Sequence, residues 1–302
     1  MESGIRTAEE NMMRLKTKLD SGDFLVMAEM LPPKGVDVSS MLAAADKVKG
    51  RVDSFVVPEM SNAVMRMSSL GGALLLKNRG LESVVQVCCR DRNRLALQGD
   101  LLAAGALGVS AVMAVTGDNI GYGDHHTARA VDDVSLMELL RGIGELQEGR
   151  DMAGIELAGS PRFLVGSTWT VTGNGGASPA DLEQLDRLME AGVEFFVTQP
   201  VFDMQWLAGV MKSLGDRKVR IVPTVLLLKS LGMARYIDRH LEHVGIPAYL
   251  LRLIQKSPDR VNDCVKIAAD TIKSLGDEGA AGVLVSTIGW EDKLPRILDR
   301  IK

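Results

Sequence analysis

Three polar residues lie at the ends of short apolar runs, where they are placed to do acid–base chemistry. Glu29 lies in the run Phe24–Met30, Asp118 follows a run that ends at Gly117, and Gln199 ends a third run. A carboxyl group in apolar surroundings has a raised pKa and holds a proton near neutral pH, so Glu29 is a candidate general acid. The Gln199 amide both donates and accepts hydrogen bonds, which suits the N–C=O edge of a heterocycle.

Each of these residues also has a purely structural interpretation. Glu29 could pair with a neighbouring Arg or Lys, Asp118 could cap a helix, and Gln199 could brace a loop. Another apolar run ends in Cys-Cys-Arg-Asp-Arg-Asn. Its first arginine, Arg90, is either a solvated side chain beside a helix cap or an anion-binding group.

The histidines and cysteines do not have the spacing of a metal site or a disulfide framework. His125 and His126 are adjacent, so their side chains point apart, and the other two histidines lie on a different predicted helix. Cys88 and Cys89 are adjacent and Cys264 is far away, and we expect reduced core thiols. The absence of G-x-S-x-G, P-loop and H-E-x-x-H motifs excludes the commonest hydrolase mechanisms.

The elements that must position these groups are short apolar runs that alternate with helix-like segments. Runs this apolar are typical of parallel strands buried on both faces, and eight strands close a (β/α)₈ barrel, whose carboxyl-terminal rim gathers residues distant in sequence. An open doubly wound sheet is the alternative, but no G-x-G-x-x-G follows the first strand. We predict strands at Phe24–Met30, Ser54–Val57, Ser83–Cys89, Ala111–Gly117, Arg162–Trp169, Phe195–Gln199, Arg220–Leu227 and Gly282–Ile288.

We predict a single barrel domain over residues 1–302, with a flanking N-terminal helix within residues 1–22. Two connections are longer than a barrel needs, at residues 118–161 and 228–281. Long loops on the carboxyl-terminal rim often contact ligands. Three extra helices are predicted between strands seven and eight, at Leu231–His243, Pro247–Gln255 and Asp259–Leu275.

The composition is that of a globular protein, with 46% hydrophobic and 25% charged residues. A net charge of −4 with scattered Lys and Arg gives no basic surface for nucleic acid. No stretch approaches 18 apolar residues, and the polar N-terminus does not resemble a signal peptide. We therefore expect a cytoplasmic protein that acts on a small molecule without a membrane, and we also expect a homo-oligomer.

Four segments make the sequence recognisable: AEMLPPKG, CCRDRNRLALQGDLLAAGALGVSAVMAVTGD, GDHHTARAVDDVS and AGVEFFVTQPVFD. In this order and spacing they resemble the methylenetetrahydrofolate reductase family, from about residue 20 to the C-terminus. The elements T-G-D and T-Q-x-x-F-D are fairly specific in combination. The resemblance implies a flavin-containing barrel in which NAD(P)H or a protein electron donor reduces FAD. The flavin then passes a hydride to methylenetetrahydrofolate and yields methyltetrahydrofolate.

The resemblance also assigns roles to residues. Glu29 matches the acid that helps to protonate the bridging nitrogen of the folate, so that its five-membered ring opens to an iminium. Asp118 matches an aspartate near flavin and pterin, whose charge stabilises that cation. Gln199 matches a glutamine that contacts the pterin edge.

The flavin contacts implied by the family lie on strands three and four and on the helix after strand five. They are Gln86, Thr116, Gly117, Asp118, Asp181 and Gln184. Two departures remove polar partners of FAD, because Pro58 replaces a threonine and Leu188 replaces a lysine of the relatives. The segment after strand five also lacks the usual proline-containing turn.

These departures leave two alternatives to a flavin-dependent reductase. In the first, the chain is a flavin-free component that moves a methyl group between a corrinoid protein and tetrahydrofolate. In the second, it is a non-catalytic folate-binding subunit that docks an electron-transfer partner.

Overall fold

Eight parallel strands close into a barrel in which each strand pairs with the next and β8 pairs with β1. The computed structural model describes residues 8–301. Each predicted strand is confirmed, with ends that differ by at most two residues. The strands are β1 (Leu25–Glu29), β2 (Ser54–Val57), β3 (Ser83–Cys88), β4 (Ala111–Val115), β5 (Leu164–Thr168), β6 (Phe195–Pro200), β7 (Ile221–Leu226) and β8 (Gly282–Ser286).

Helices follow the strands along the described chain, as a (β/α)₈ barrel requires. The predicted extra helices between β7 and β8 are present, although the first ends at His240 rather than His243. The helices are α1 (Ala8–Ser21), α2 (Ser39–Asp46), α3 (Ser69–Lys77), α4 (Arg94–Ala106), α5 (Leu136–Gln147), α6 (Pro179–Glu190), α7 (Met204–Ser213), α8 (Leu231–His240), α9 (Ala248–Lys256), α10 (Arg260–Asp277) and α11 (Leu294–Leu298). None of the helices in residues 8–301 is long and apolar enough to cross a membrane.

Side-chain alternation along the strands divides the apolar core into two clusters. Leu25, Met27 and Phe195 belong to the smaller cluster, which fills the inside of the barrel. A Cβ at Gly166 would lie 2.2 Å from the Phe195 ring, so the aromatic ring occupies the space that glycine leaves. The larger cluster packs the outer faces of the strands against the helices. The barrel is therefore a solid scaffold, and ligands can reach only its rims.

The N-terminal helix α1 covers the amino-terminal end of the barrel. Its Leu15 and Leu19 are buried in the inner cluster. Lys18 donates a hydrogen bond of 2.6 Å to the carboxylate of Asp53, which directly precedes β2. The predicted flanking helix is thus confirmed from Ala8 onward, and residues 1–7 lie outside the described part of the chain. The opposite, carboxyl-terminal rim stays open.

The three cysteines are buried and form no disulfide, as expected for core thiols. Burial raises the pKa of Cys88 to about 12 and the pKa values of Cys89 and Cys264 to about 11. Within residues 8–301, no group of three or more His, Cys, Asp or Glu is placed to hold a metal ion.

Candidate active site

Glu29 is the last residue of β1 and lies on the carboxyl-terminal rim. It follows Leu25 and Met27 at two-residue spacing, and both of these lie inside the barrel, so Glu29 faces the barrel axis. The Ser286 hydroxyl, at the end of the neighbouring β8, donates a hydrogen bond of 2.9 Å to Oε1 of Glu29. Among the described residues, no Lys or Arg forms an ion pair with Glu29. The described structure therefore does not support the alternative in which Glu29 pairs with a neighbouring Arg or Lys.

The surroundings of Glu29 favour its protonated form. Burial raises the pKa of this carboxyl, the Ser286 hydrogen bond lowers it, and the negative charges of Glu291 and Asp118 raise it again. The net direction is upward, because burial is the largest of these effects. Glu29 thus has the property that the sequence predicted for a general acid.

Asp118 lies on the same rim, three residues beyond the end of β4, and its side chain is exposed. Its Oδ2 accepts a hydrogen bond of 2.6 Å from the backbone N–H of Asn62, in the loop after β2. The cap of the adjacent 3₁₀ helix is Asn119, which accepts from Gly121 N. Asp118 is therefore not the helix cap that the structural alternative proposed. Its negative charge reaches Glu29.

Arg90 holds the loops around Asp118 together. Its side chain is 3% exposed and forms an ion pair of 2.7 Å with Asp91. Its Nη1 donates to the carbonyl oxygen of Asp118 at 3.0 Å, and its Nη2 donates to that of Met60 at 3.2 Å. The expectation of a solvated Arg90 is wrong, because its buried guanidinium donates to carbonyl groups of two different loops. Asn93 caps α4, as one of the sequence interpretations expected.

Thr116 and Gly117 form the exposed step between β4 and Asp118. Gly117 has a φ of 91°, and a Cβ there would lie 2.4 Å from Cys88 Sγ. The carbonyl oxygen of Thr116 accepts a hydrogen bond of 3.2 Å from the backbone N–H of Arg90. Both residues are accessible to a ligand at the rim, as the family resemblance implies.

Gln86 is partly buried in β3 and is tied to the loop after β2. Its Oε1 accepts a hydrogen bond of 2.9 Å from the backbone N–H of Glu59. Glu59 is itself buried and pairs with Arg92 at 3.1 Å. Burial raises the pKa of Glu59, although Arg92 and the backbone N–H of Ser69 lower it. Glu59 was not among the site residues predicted from the sequence, although it carries a signal similar to that of Glu29, namely a carboxylate close to the end of an apolar strand.

Gln199 lies on the rim, but its amide is engaged with the backbone. Its Oε1 accepts from Val171 N at 3.1 Å, and its Nε2 donates to Val171 O at 2.7 Å and to His243 O at 3.3 Å. These contacts agree with the structural interpretation, in which Gln199 braces a loop. Its contact with a pterin edge stays a prediction that needs at least one of these hydrogen bonds to open.

The residues of α6 that the family resemblance assigns to the flavin differ in how accessible they are. Asp181 is 3% exposed and accepts hydrogen bonds from Thr172 Oγ1 at 2.8 Å and Ser178 N at 2.8 Å, with further bonds from Thr172 N and Gly173 N. Burial acts to raise the pKa of Asp181, but these hydrogen bonds outweigh it and the pKa is lowered. Leu188 is buried in the outer core cluster, whereas Gln184 is exposed.

Two further groups near this rim, one after β8 and one after β7, were not among the residues predicted from the sequence. Glu291 begins a short 3₁₀ helix and lies close enough to Glu29 for its charge to raise the pKa of that group. Lys229, which follows β7, donates to the carbonyl oxygen of Ile288, and its Nζ lies 5.3 Å from the centre of the Trp290 ring. No local sequence signal marks these residues, since only closure of the barrel brings the β8 end beside β1.

The rim therefore combines a carboxyl group of raised pKa with two further acidic side chains. Glu29, Asp118 and Glu291 come from loops or strand ends far apart in the chain and interact electrostatically. Gln199 shares the rim but is directed to the β5 and β7 loops. Such a site can donate a proton and then stabilise a positive charge.

Comparison with known proteins agrees with both the fold and the sequence motifs. The chain resembles 2,3-dimethylmalate lyase, a member of the PEP mutase/isocitrate lyase superfamily, with a TM-score of 0.53 and 11% identity over 93% of this chain and 81% of that one. It also resembles EDTA monooxygenase from Chelativorans sp. BNC1, with a TM-score of 0.53 and 11% identity over 92% of each chain. At this identity the two likenesses describe the barrel fold alone. The family model of methylenetetrahydrofolate reductase matches residues 14–302, and because this is nearly the whole chain, the protein belongs to that family.

Proposed function

We propose that this chain reduces 5,10-methylenetetrahydrofolate to 5-methyltetrahydrofolate. The observation that carries the proposal is the position of Glu29, a carboxyl group of raised pKa that faces the rim near the charges of Asp118 and Glu291 and has no ion-pairing Lys or Arg among the described residues. Membership of the reductase family supports the reaction class and favours it over flavin-free methyl transfer.

The proposed reaction begins with a proton transfer. Glu29 gives its proton to the bridging nitrogen of the folate, the bond from that nitrogen to the methylene carbon breaks, and an iminium cation forms. Asp118 and Glu291 stabilise this cation through their negative charges. A hydride added to the iminium carbon completes the methyl group, so one proton and one hydride are consumed for each product molecule.

The family resemblance implies FAD as the hydride carrier, reduced by NAD(P)H or a protein donor. When bound, a flavin supplies the hydride chemistry. Thr116, Gly117 and Gln86 could line its ring system, but the surroundings of Asp181 and Leu188 do not fit a flavin contact. The Asp181 carboxylate is occupied by its own loop, and Leu188 is buried in the core.

Pro58 is also buried and has no side-chain donor to offer. We therefore expect that the chain does not retain stoichiometric FAD through purification, which the visible spectrum of the purified protein checks. The proton chemistry of Glu29 does not depend on which group delivers the hydride.

The function is tested by following methyltetrahydrofolate formation by mass spectrometry with several donors. NADH, NADPH and dithionite-reduced viologen are each supplied with and without added FAD. We expect turnover with at least one donor, and we expect Glu29→Gln to lower kcat by about 100-fold or more. Absence of product with every donor, or a Glu29→Gln variant as fast as the wild type, contradicts the proposal. Product formed from a methylated corrinoid protein without a donor would instead indicate methyl transfer.

A further inference from the structure

The turn that follows β8 is held in place from the β7 loop. Ser286 ends the strand, and Ile288 two residues later has a φ of 46°, which is strained for a β-branched side chain. Lys229 donates to the carbonyl oxygen of that same residue and lies over the Trp290 ring. This support from the β7 loop fixes a turn that brings Glu291 to the rim.

The hydrogen bond between Ser286 and Glu29 distinguishes the two carboxyl oxygens. The Ser286 hydroxyl donates to Oε1 at 2.9 Å, so Oε1 acts as an acceptor. In a protonated carboxyl group the acceptor is the carbonyl oxygen, and the hydroxyl is the other one. With Ser286 as the donor, a protonated Glu29 carries its proton on Oε2.

We propose that Ser286 is a positioning residue that holds Oε1 of Glu29 as a hydrogen-bond acceptor, so that the proton of this carboxyl group lies on Oε2 and is available to the folate. This inference rests on the proposed role of Glu29 as the acid of the reductase. It adds Ser286 to that role. Ser286 does not touch the reacting nitrogen in the proposed reaction.

The charged groups that face Glu29 and its hydrogen bond with Ser286 act on its pKa in opposite directions. Asp118 approaches from the β4 loop and Glu291 from the β8 turn, and both raise the pKa of Glu29. Ser286 lowers it, because its hydrogen bond stabilises the carboxylate. Lys229 is the cation on this side of the rim, and its own pKa is lowered by burial but raised by Glu291. Removing Ser286 or Glu291 should therefore move the titration of Glu29 in opposite directions.

The position of the proton is tested by infrared difference spectroscopy on the free protein. The Glu29→Gln variant identifies the C=O stretching band of protonated Glu29. Because Oε1 accepts the Ser286 hydrogen bond, Ser286→Ala should shift this band to higher frequency, and Ser286→Thr, which keeps the hydroxyl, should leave it in place. An unchanged band in Ser286→Ala overturns the proposal.

The titration of Glu29, followed through the same band, gives a second test of Ser286. We expect Glu291→Gln to lower the midpoint and Ser286→Ala to raise it. Asp292→Asn is the matched control, since this neighbouring carboxylate is exposed and pairs with Lys293 at 2.5 Å. A midpoint that does not rise in Ser286→Ala overturns the proposal.

Steady-state kinetics distinguish the position of the Glu29 proton from the fraction of Glu29 that is protonated. In Ser286→Ala, kcat should fall by about 10-fold at unchanged KM, although more of Glu29 is protonated, because the proton is no longer held in place. A kcat that simply follows the protonated fraction contradicts the positioning role. The infrared results need no folate, so the expected band shift without any folate reduction would reject the proposed function alone. Folate reduction with an unchanged band would reject this inference alone.

Discussion

Replacing Gly117 by alanine tests whether the rim step between β4 and Asp118 is as tightly built as the structure indicates. Gly117 has a φ of 91°, a conformation that residues with a Cβ rarely adopt. The added carbon would lie 2.4 Å from Cys88 Sγ and 3.1 Å from Arg90 Cβ. Neither neighbour can easily move, because Cys88 is buried in β3 and the Arg90 guanidinium is fixed by Asp91 and two carbonyl groups.

The magnitude follows from two separate costs. A non-glycine residue in the left-handed region costs about 1–3 kcal/mol. Insertion of a carbon into a well-packed site costs about 1–3 kcal/mol more. We therefore expect Gly117→Ala to lower the free energy of unfolding by about 2–6 kcal/mol, a large part of the stability of a typical domain. Displacement of the adjacent Asp118 should also lower folate turnover.

The assay is urea denaturation followed by circular dichroism, with Gly99→Ala as the matched control. Gly99 lies inside α4, and a Cβ there would meet nothing within 4 Å. In that position alanine should stabilise the protein by about 0.5–1 kcal/mol, since it restricts the unfolded chain and favours the helix. A loss below about 1 kcal/mol in Gly117→Ala, or a change of the same sign in both variants, would refute the reasoning.

Three further predictions concern residues away from the acid. Because the folded state lowers the pKa of Asp181, its carboxylate contributes stability above the unfolded carboxyl pKa of about 4, and this contribution is lost as the pH falls through the folded value. Asp181→Asn should thus lower the urea midpoint at pH 7 much more than near pH 3, and equal losses at both would contradict this. Cys88, Cys89 and Cys264 should resist a thiol reagent at pH 8 in the native protein and react in denaturant, because burial raises their pKa values to about 11 or 12; fast labelling of the native protein would show accessible thiols. Gln199→Ala should destabilise the protein by about 1–3 kcal/mol through the unpaired backbone groups of its loop, and a urea midpoint equal to that of the wild type would exclude the bracing role.

The sequence alone determined the barrel and the position of its acid. Parallel strands buried on both faces appear as continuous apolar runs, so all eight were located within two residues. The two-residue period and the strand end together place Glu29 on the rim, and burial there fixes the direction of its pKa. Asp118 follows from the same reasoning. These features depend on short segments of the chain, so they can be predicted from the sequence without knowledge of the tertiary contacts.

Only the tertiary structure decided the partners of the polar residues. Arg90 is buried because two loops from different strands direct carbonyl groups at it, and Gln199 is occupied because the loops after β5 and α8 pass beside it. Glu29 meets Ser286 only because β1 pairs with β8, 257 residues later in the chain. A hydrogen bond depends on distances of a few tenths of an ångström between such segments, and the closure and register of the barrel set those distances, whereas local propensity does not.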